Sequence, residues 1–281
     1  NDNIATKAAE RGDIGILVTP LMPSYLAHAE KYPYIGVDNG VFSRVTPFNP
    51  DKFKKLVEKV ASSPAAKERT LFVVAPDVVG DAKGTLEKFP EWARWIQSQG
   101  LPVALAAQNG LEYMQDQIPW DLVDVMFIGG TTNWKLGKFA TPDELAKWAS
   151  LWMTAIDKGI PIHMGRVNTN ERISGIAQQI GVATADGTYL AFAPDKNLPK
   201  LEAMLDRLNK DGMDLGAQTF PELGRYPTTQ ELYDIASDAG TMYLDDLGAY
   251  QPAAAQINAI RLELGLPTLS GNRAQLEMPL F

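Results

Sequence analysis

The 281-residue chain contains no cysteine, which excludes disulfide bridges, thiolate zinc centres and a cysteine nucleophile. Histidine is almost as scarce, with His28 and His163 the only two, too few for a histidine-rich metal site. A transition-metal enzyme is therefore disfavoured, and no cofactor is expected. No apolar run approaches the ~18 residues of a membrane span, and "NDNIATKAAERGD" has no signal-peptide core. The expectation is a soluble cytoplasmic chain with no membrane partner. Positive charge is also short: 26 Lys and Arg face 34 Asp and Glu, a net charge of −8, whereas a generic nucleic-acid binder is usually basic. The deficit is local. Residues 211–281 hold three Arg and no Lys against ten acidic residues, a net −7, so residues 1–210 carry only −1. A nearly neutral body leaves room for a local basic groove.

What is present is a core and a repeat. Hydrophobic residues make up 45% of the chain, enough for one large core or a barrel with an appended subdomain. Short apolar strand candidates lie at 14–20, 34–40, 71–77, 102–110, 124–130, 161–168 and 182–187, alternating with amphipathic helix candidates at 50–63, 82–99, 141–158 and 169–180. Thr141 with Glu144 reads as a capping box, and Asn168 or Thr169 as the cap of the last of these helices. Repeated βα units with nearly continuous apolar strands predict a parallel sheet covered by helices. The fold expected is an α/β (β/α)8 TIM-like barrel over residues 1–195. Residues 196–281 form a mainly helical C-terminal region that either completes the barrel or makes a lid. Seven strands are visible and the eighth is not. A doubly wound open sheet is the alternative; the GxGxxG that would support it after the first strand is missing.

A TIM-like barrel carries its site at the C-terminal ends of its strands. Those ends read Asp38-Asn39-Gly40, Pro76-Asp77, Gln108-Asn109-Gly110, Gly129-Gly130-Thr131, Gly165-Arg166 and Ala185-Asp186-Gly187. Each has a bland reading: Asp77 or Asp81 as a helix cap, Gly129-Gly130 as a tight turn, Gln108 as a satisfier of backbone groups. Their recurrence at equivalent places in successive units favours a shared site.

"VDNGVF" (37–42), "APDVVGDA" (75–82), "ALAAQNG" (104–110), "FIGGTTNWKLG" (127–137) and "GVATADG" (181–187) resemble, in order and approximate spacing, the motifs of the tRNA-guanine transglycosylase superfamily. The resemblance is strongest to its phage branch, the DpdA-like enzymes that place 7-deazaguanine bases such as preQ0 in DNA, and it spans residues 14–190. It implies that Asp186 is the nucleophile at the ribosyl C1′ and Asp38 the general acid/base. It implies that Asp77 and Gln108 read the guanine edge, with the Gly129-Gly130 backbone beside them; Phe42 and Gly165 join these as base-binding residues. Asn39 and Val41 depart from the family's small residues in the first motif. The tRNA enzymes' cysteine-rich zinc element has no counterpart, which points to DNA.

The residue types suit that chemistry. Base exchange at C1′ passes through an oxocarbenium-like state that a close carboxylate stabilises and then captures covalently, while a second carboxylate gives and takes the base's proton. Guanine offers two adjacent donors, N1–H and the 2-amino group, to one carboxylate, and its O6 needs a donor: the Gln108 amide or the Gly129-Gly130 N–H groups. A duplex base must be flipped out to reach such a mouth. Lys135, Lys138, Arg166 and Arg172 are the candidate phosphate contacts, with Lys196 and Lys200 further along, and Trp134 is either a stacking platform or core. His163 reads as a satisfied core histidine. The expected partners are guanine sites in DNA and a free 7-deazaguanine base, and a homo-oligomer is compatible with the chain. The rival readings are a tRNA enzyme, a nucleoside or glycoside hydrolase on the same barrel, and a non-catalytic DNA-binding module.

Overall fold

The computed structural model describes residues 2–43, 47–137, 139–167, 181–187, 190 and 194–210. Its strands are β1 (Ile16–Val18), β2 (Ile35–Val37), β3 (Thr70–Val74), β4 (Val103–Ala107), β5 (Val125–Ile128), β6 (Ile162–Met164) and β7 (Thr184–Ala185). They form one sheet in chain order, each pair of neighbours parallel. Sequential parallel order requires a crossover on the same face each time, and with the sheet's twist this builds an α/β barrel of the TIM type. Among the described residues β7 has no pairing to β1, and an eighth strand is not seen.

The register sorts the strand residues into two faces. Leu17, Gly36, Phe72, Val74, Ala104, Ala106, Val125, Phe127, His163 and Thr184 share the barrel interior by their cross-strand pairing, and Phe72, Val74, Ala104, Ala106 and Val125 pack there as one apolar cluster. The alternate residues, among them Val18, Ile35, Val37, Val73, Leu105, Met126, Ile128 and Ile162, face the larger layer between sheet and helices.

The helices of that layer are set by their caps. Helix α1 (Asp2–Arg11) precedes β1. Asn49 accepts the N–H of Lys52 to start α2 (Pro50–Ser62), whose Phe53, Leu56, Val57 and Val60 recur at helical spacing and are buried. The short α3 (Pro64–Arg69) follows. Asp81 caps α4 (Ala82–Ser98) through the N–H of Gly84. The brief α5 (Thr132–Lys135) follows β5, and the expected Thr141–Glu144 capping box opens α6 (Pro142–Asp157). Helix α7 (Pro194–Lys210) starts just before the expected boundary at 196, and its Asp206 meets Arg11 of α1 at 2.7 Å. The last described helix is thereby tied to the first. The expected helix at 169–180, its cap at Asn168 or Thr169, and the region 211–281 lie outside the described residues. No helix among the described residues is long and apolar enough to cross a membrane.

Candidate active site

Two residues beyond each paired interior position, the side chains still point inward at the barrel mouth. Gly36 leads to Asp38, Ala106 to Gln108, Phe127 to Gly129, His163 to Gly165 and Thr184 to Asp186. Five of the positions singled out in the sequence therefore converge by strand parity alone. Asp77 does not follow this rule, because parity after Val74 falls on Pro76; hydrogen bonds bring it in.

Those bonds run around the mouth. The Asn39 amide donates to the Ala75 carbonyl at 3.0 Å and to one Asp77 oxygen at 2.8 Å, while its own oxygen accepts the N–H of Val41. The Gln108 amide donates to the other Asp77 oxygen at 2.6 Å, and its oxygen accepts N–H groups from Gly80 at 2.8 Å and Gly130 at 3.0 Å. Gln108 thus stitches together the loops after β3, β4 and β5. Asn109 continues the seam by pairing twice with Thr131. A side chain at Gly129 would place its Cβ 2.6 Å from the Gln108 amide nitrogen and 3.0 Å from the Ala107 carbonyl, so only glycine fits against this network.

Asp186 is held at both oxygens. One accepts the N–H of Arg166 at 3.2 Å, and the other meets His163 Nε2 at 3.0 Å. Gly165 makes room for it: a Cβ there would lie 2.7 Å from the Phe127 ring and 3.3 Å from the Asp186 carboxylate. Arg166 itself has a φ of 60°, a left-handed conformation that costs a residue with a side chain free energy and is held here by its surroundings. Its guanidinium donates to the Gly130 carbonyl at 3.0 Å and lies 3.9 Å from the centre of the Phe42 ring. Phe42, exposed on the loop after β2, thereby meets a residue from the far side of the sheet.

Two of the three carboxylates are shifted by their surroundings. Burial pushes the Asp38 carboxyl above its ordinary value, and the nearby Asp186 charge adds to this, against the opposing N–H of Gly40. Burial likewise raises Asp77, helped by Asp38 and opposed by the Asn39 and Gln108 donors. Both keep some surface at the mouth although protein packs closely around them. The alternative reading of Asp77 as a helix cap is settled by Asp81, which does that work.

Several sequence expectations need correction. Lys135 is not on the surface: it is 5% exposed and its ammonium donates to the Gly165 carbonyl at 2.6 Å, so it supports the mouth from behind and does not reach a phosphate. Arg166 is drawn onto Phe42 and Gly130. Lys138 and Arg172 lie outside the described residues. Of the two readings of Trp134, the core one holds: its indole N–H is on Glu112 at 2.8 Å and its ring is edge-on to Trp152. The Gly130 N–H is given to Gln108 and the Gly129 N–H to the Ala107 carbonyl, so the diglycine has no backbone donor left for a base. Asn39, read only as a departure, orients Asp77; a carboxamide next to an acid at a strand end was the available signal.

No family model matches the sequence, and no curated protein matches it. Among solved structures, the chain is similar to the EAL-domain protein YkuI of Bacillus subtilis, crystallised with its substrate c-di-GMP and calcium. The TM-score is 0.37 at 12% identity, over 80% of this chain and 54% of that one, so the chain spans about half that protein's length. It is also similar to an HpcH/HpaI aldolase of Desulfitobacterium hafniense, with a TM-score of 0.34 at 15% identity, over 71% of this chain and 95% of that one. The barrel assignment rests on the strand order and register described above.

Proposed function

We propose that the protein is a transglycosylase that exchanges guanine in DNA for a 7-deazaguanine base through a covalent glycosyl intermediate on Asp186. The observation that carries this reading is the meeting of Asp38, Asp77 and Asp186 at one mouth, each in a different environment. Asp186 is held by the Arg166 N–H and the His163 ring, Asp38 lies near enough to Asp186 to feel its charge, and Asp77 is aligned by two amides.

An Asp186 oxygen forms a bond to C1′ as the C1′–N9 bond breaks, and the electron pair leaves with guanine, which takes the proton held by Asp38. The incoming deazaguanine then gives its N9 proton to Asp38, and N9 displaces the carboxylate from C1′. Displacing the bond twice retains configuration, as in retaining glycosidases. A raised Asp38 suits the first step, because a carboxyl that keeps its proton nearer neutrality is the better acid.

Asp77 would accept N1–H and the 2-amino group. Each of its oxygens already receives one amide, and a carboxylate has about four lone-pair sites, so one per oxygen remains. With both diglycine N–H groups engaged, O6 falls to the second hydrogen of the Gln108 amide. The Arg166 guanidinium lies over one face of the Phe42 ring, and Phe42 offers the rest of its exposed ring to the base.

The test is mass spectrometry of nucleosides from DNA incubated with the protein and candidate 7-deazaguanines, alongside a tRNA control. Deazaguanosine in DNA supports the proposal. Incorporation into tRNA alone moves the substrate to RNA, and base release without incorporation makes the enzyme a hydrolase; either result overturns it.

A further inference from the structure

His163 lies beneath the candidate nucleophile, inside the barrel and 3% exposed. Its ring stacks on Phe127 at 4.8 Å and 26° and tilts against Phe72 at 4.5 Å, which fixes the ring plane. Its two nitrogens are both engaged: Nδ1 with the Thr184 hydroxyl at 2.7 Å and Nε2 with Asp186 at 3.0 Å. The pairing of His163 with Thr184 across β6 and β7 sets this alignment, and Asp186 follows two residues along the same face. A core histidine needs only to be satisfied. This one is satisfied by the acid that the base-exchange reading makes reactive.

We propose that His163 is the positioning residue of Asp186, acting in the tautomer that carries its proton on Nε2 while the Thr184 hydroxyl donates to Nδ1. A carboxylate is an acceptor only, so the nitrogen facing it must be the donor, and the other nitrogen is left to accept. The Nε2–H bond then pins one Asp186 oxygen. The opposite oxygen, whose partner is the longer 3.2 Å backbone N–H of Arg166, is the one turned to C1′. When that oxygen forms its bond to C1′, the pinned oxygen becomes the ester carbonyl and keeps the same hydrogen bond. When the ester is displaced, the bond is in place to receive the returning charge. No proton moves on His163 in either step. The role of the opposite oxygen at C1′ rests on the proposed base exchange; the tautomer and the pinning do not.

The experiment uses the full chain labelled with ¹⁵N-histidine, in which only His28 and His163 give side-chain signals. Spectra recorded well above the ordinary histidine value of about 6.5 should show His163 locked as one tautomer, with a slowly exchanging Nε2–H and a bare Nδ1, beside an averaged His28. Asp186→Ala should release the lock. A proton on Nδ1, or tautomer averaging like that of His28, overturns the proposal. In the base-exchange assay His163→Leu should lower kcat about 100-fold, the scale expected for a reacting group misplaced by about 1 Å, with KM for the free base unchanged. His163→Gln, which keeps a donor, should recover part of it. A loss confined to KM, or equal loss in both variants at unchanged Tm, overturns the positioning role. A locked Nε2–H tautomer in a wild-type protein that exchanges no base would instead sink the base-exchange reading and leave the pinning intact.

Discussion

Asp38 and Asp77 are where the site costs the fold stability. Their carboxyls are raised by burial, and Asp38 also by the Asp186 charge. A carboxyl raised on folding keeps its proton in the native state at a pH where the unfolded chain has lost it. The contribution of these two groups to stability is therefore fully present below their unfolded value and is lost as pH rises through the raised folded value. Asp38→Asn keeps the oxygen that accepts the Gly40 N–H but removes the charge. It should flatten this fall and raise Tm at neutral pH while removing base exchange, as thermal unfolding across pH will show; a Tm below wild type at neutral pH would contradict the burial account. Asp77→Asn should raise KM for the free base by about 10- to 100-fold, the worth of a hydrogen bond to a charged group, with a smaller effect on kcat; titration of free-base binding measures it. The sequence made Asp38, Gln108, Gly129, Gly165 and Asp186 legible because strand parity needs only counting from the apolar runs. It gave Asn39 no role, set Lys135 among the phosphate contacts and left Trp134 open between stacking platform and core, since a side chain's burial depends on what other segments bring to it.

At the level of the elements, the seven strands were readable because each is a short apolar run closed by a polar or glycine turn, and α2, α4 and α6 because their apolar residues recur at helical spacing. The one-turn 3₁₀ segments at Leu111–Tyr113, Gln115–Gln117 and Trp120–Leu122 were not, because three residues hold no period to detect. Helix α5 was missed for the same reason. The strand-end loops behave as one unit because Gln108 bonds across three of them. Gly129→Ala should break that unit: its Cβ must displace the Gln108 amide or the Ala107 carbonyl, leaving buried backbone donors unpaired at about 1–3 kcal/mol each. A loss of at least that size in chemical denaturation, with weaker free-base binding, is expected. An unchanged midpoint would mean the loop seam carries no stability.

For the whole molecule, the acid excess sits in residues 211–281 and the barrel is close to neutral, so any grip on a nucleic-acid strand must come from a few local cations. Lys135 is not among them, because its ammonium is spent on the Gly165 carbonyl. Lys135→Met should therefore lower stability and base-exchange activity yet leave the slope of log DNA affinity against log salt unchanged, where a true phosphate contact would flatten it by about 0.7–0.9. A flattened slope would return Lys135 to the DNA track. The barrel's order was legible from the βα alternation, whereas the tie between Arg11 of α1 and Asp206 of α7 was not, because it joins residues whose local sequence gives no hint of each other.

The central claim is that Asp186 forms a covalent bond to the sugar, and trapping tests it most directly. Wild type mixed with DNA and a slowly exchanging base analogue, denatured and analysed by intact-protein and peptide mass spectrometry, should carry a nucleic-acid adduct on Asp186. Asp186→Asn, with a Tm close to wild type, should carry none and should lose activity by a factor on the order of 10⁴ or more, as removal of a catalytic nucleophile does. An adduct that persists in Asp186→Asn, or one that maps to Asp38 or Asp77, would contradict the account.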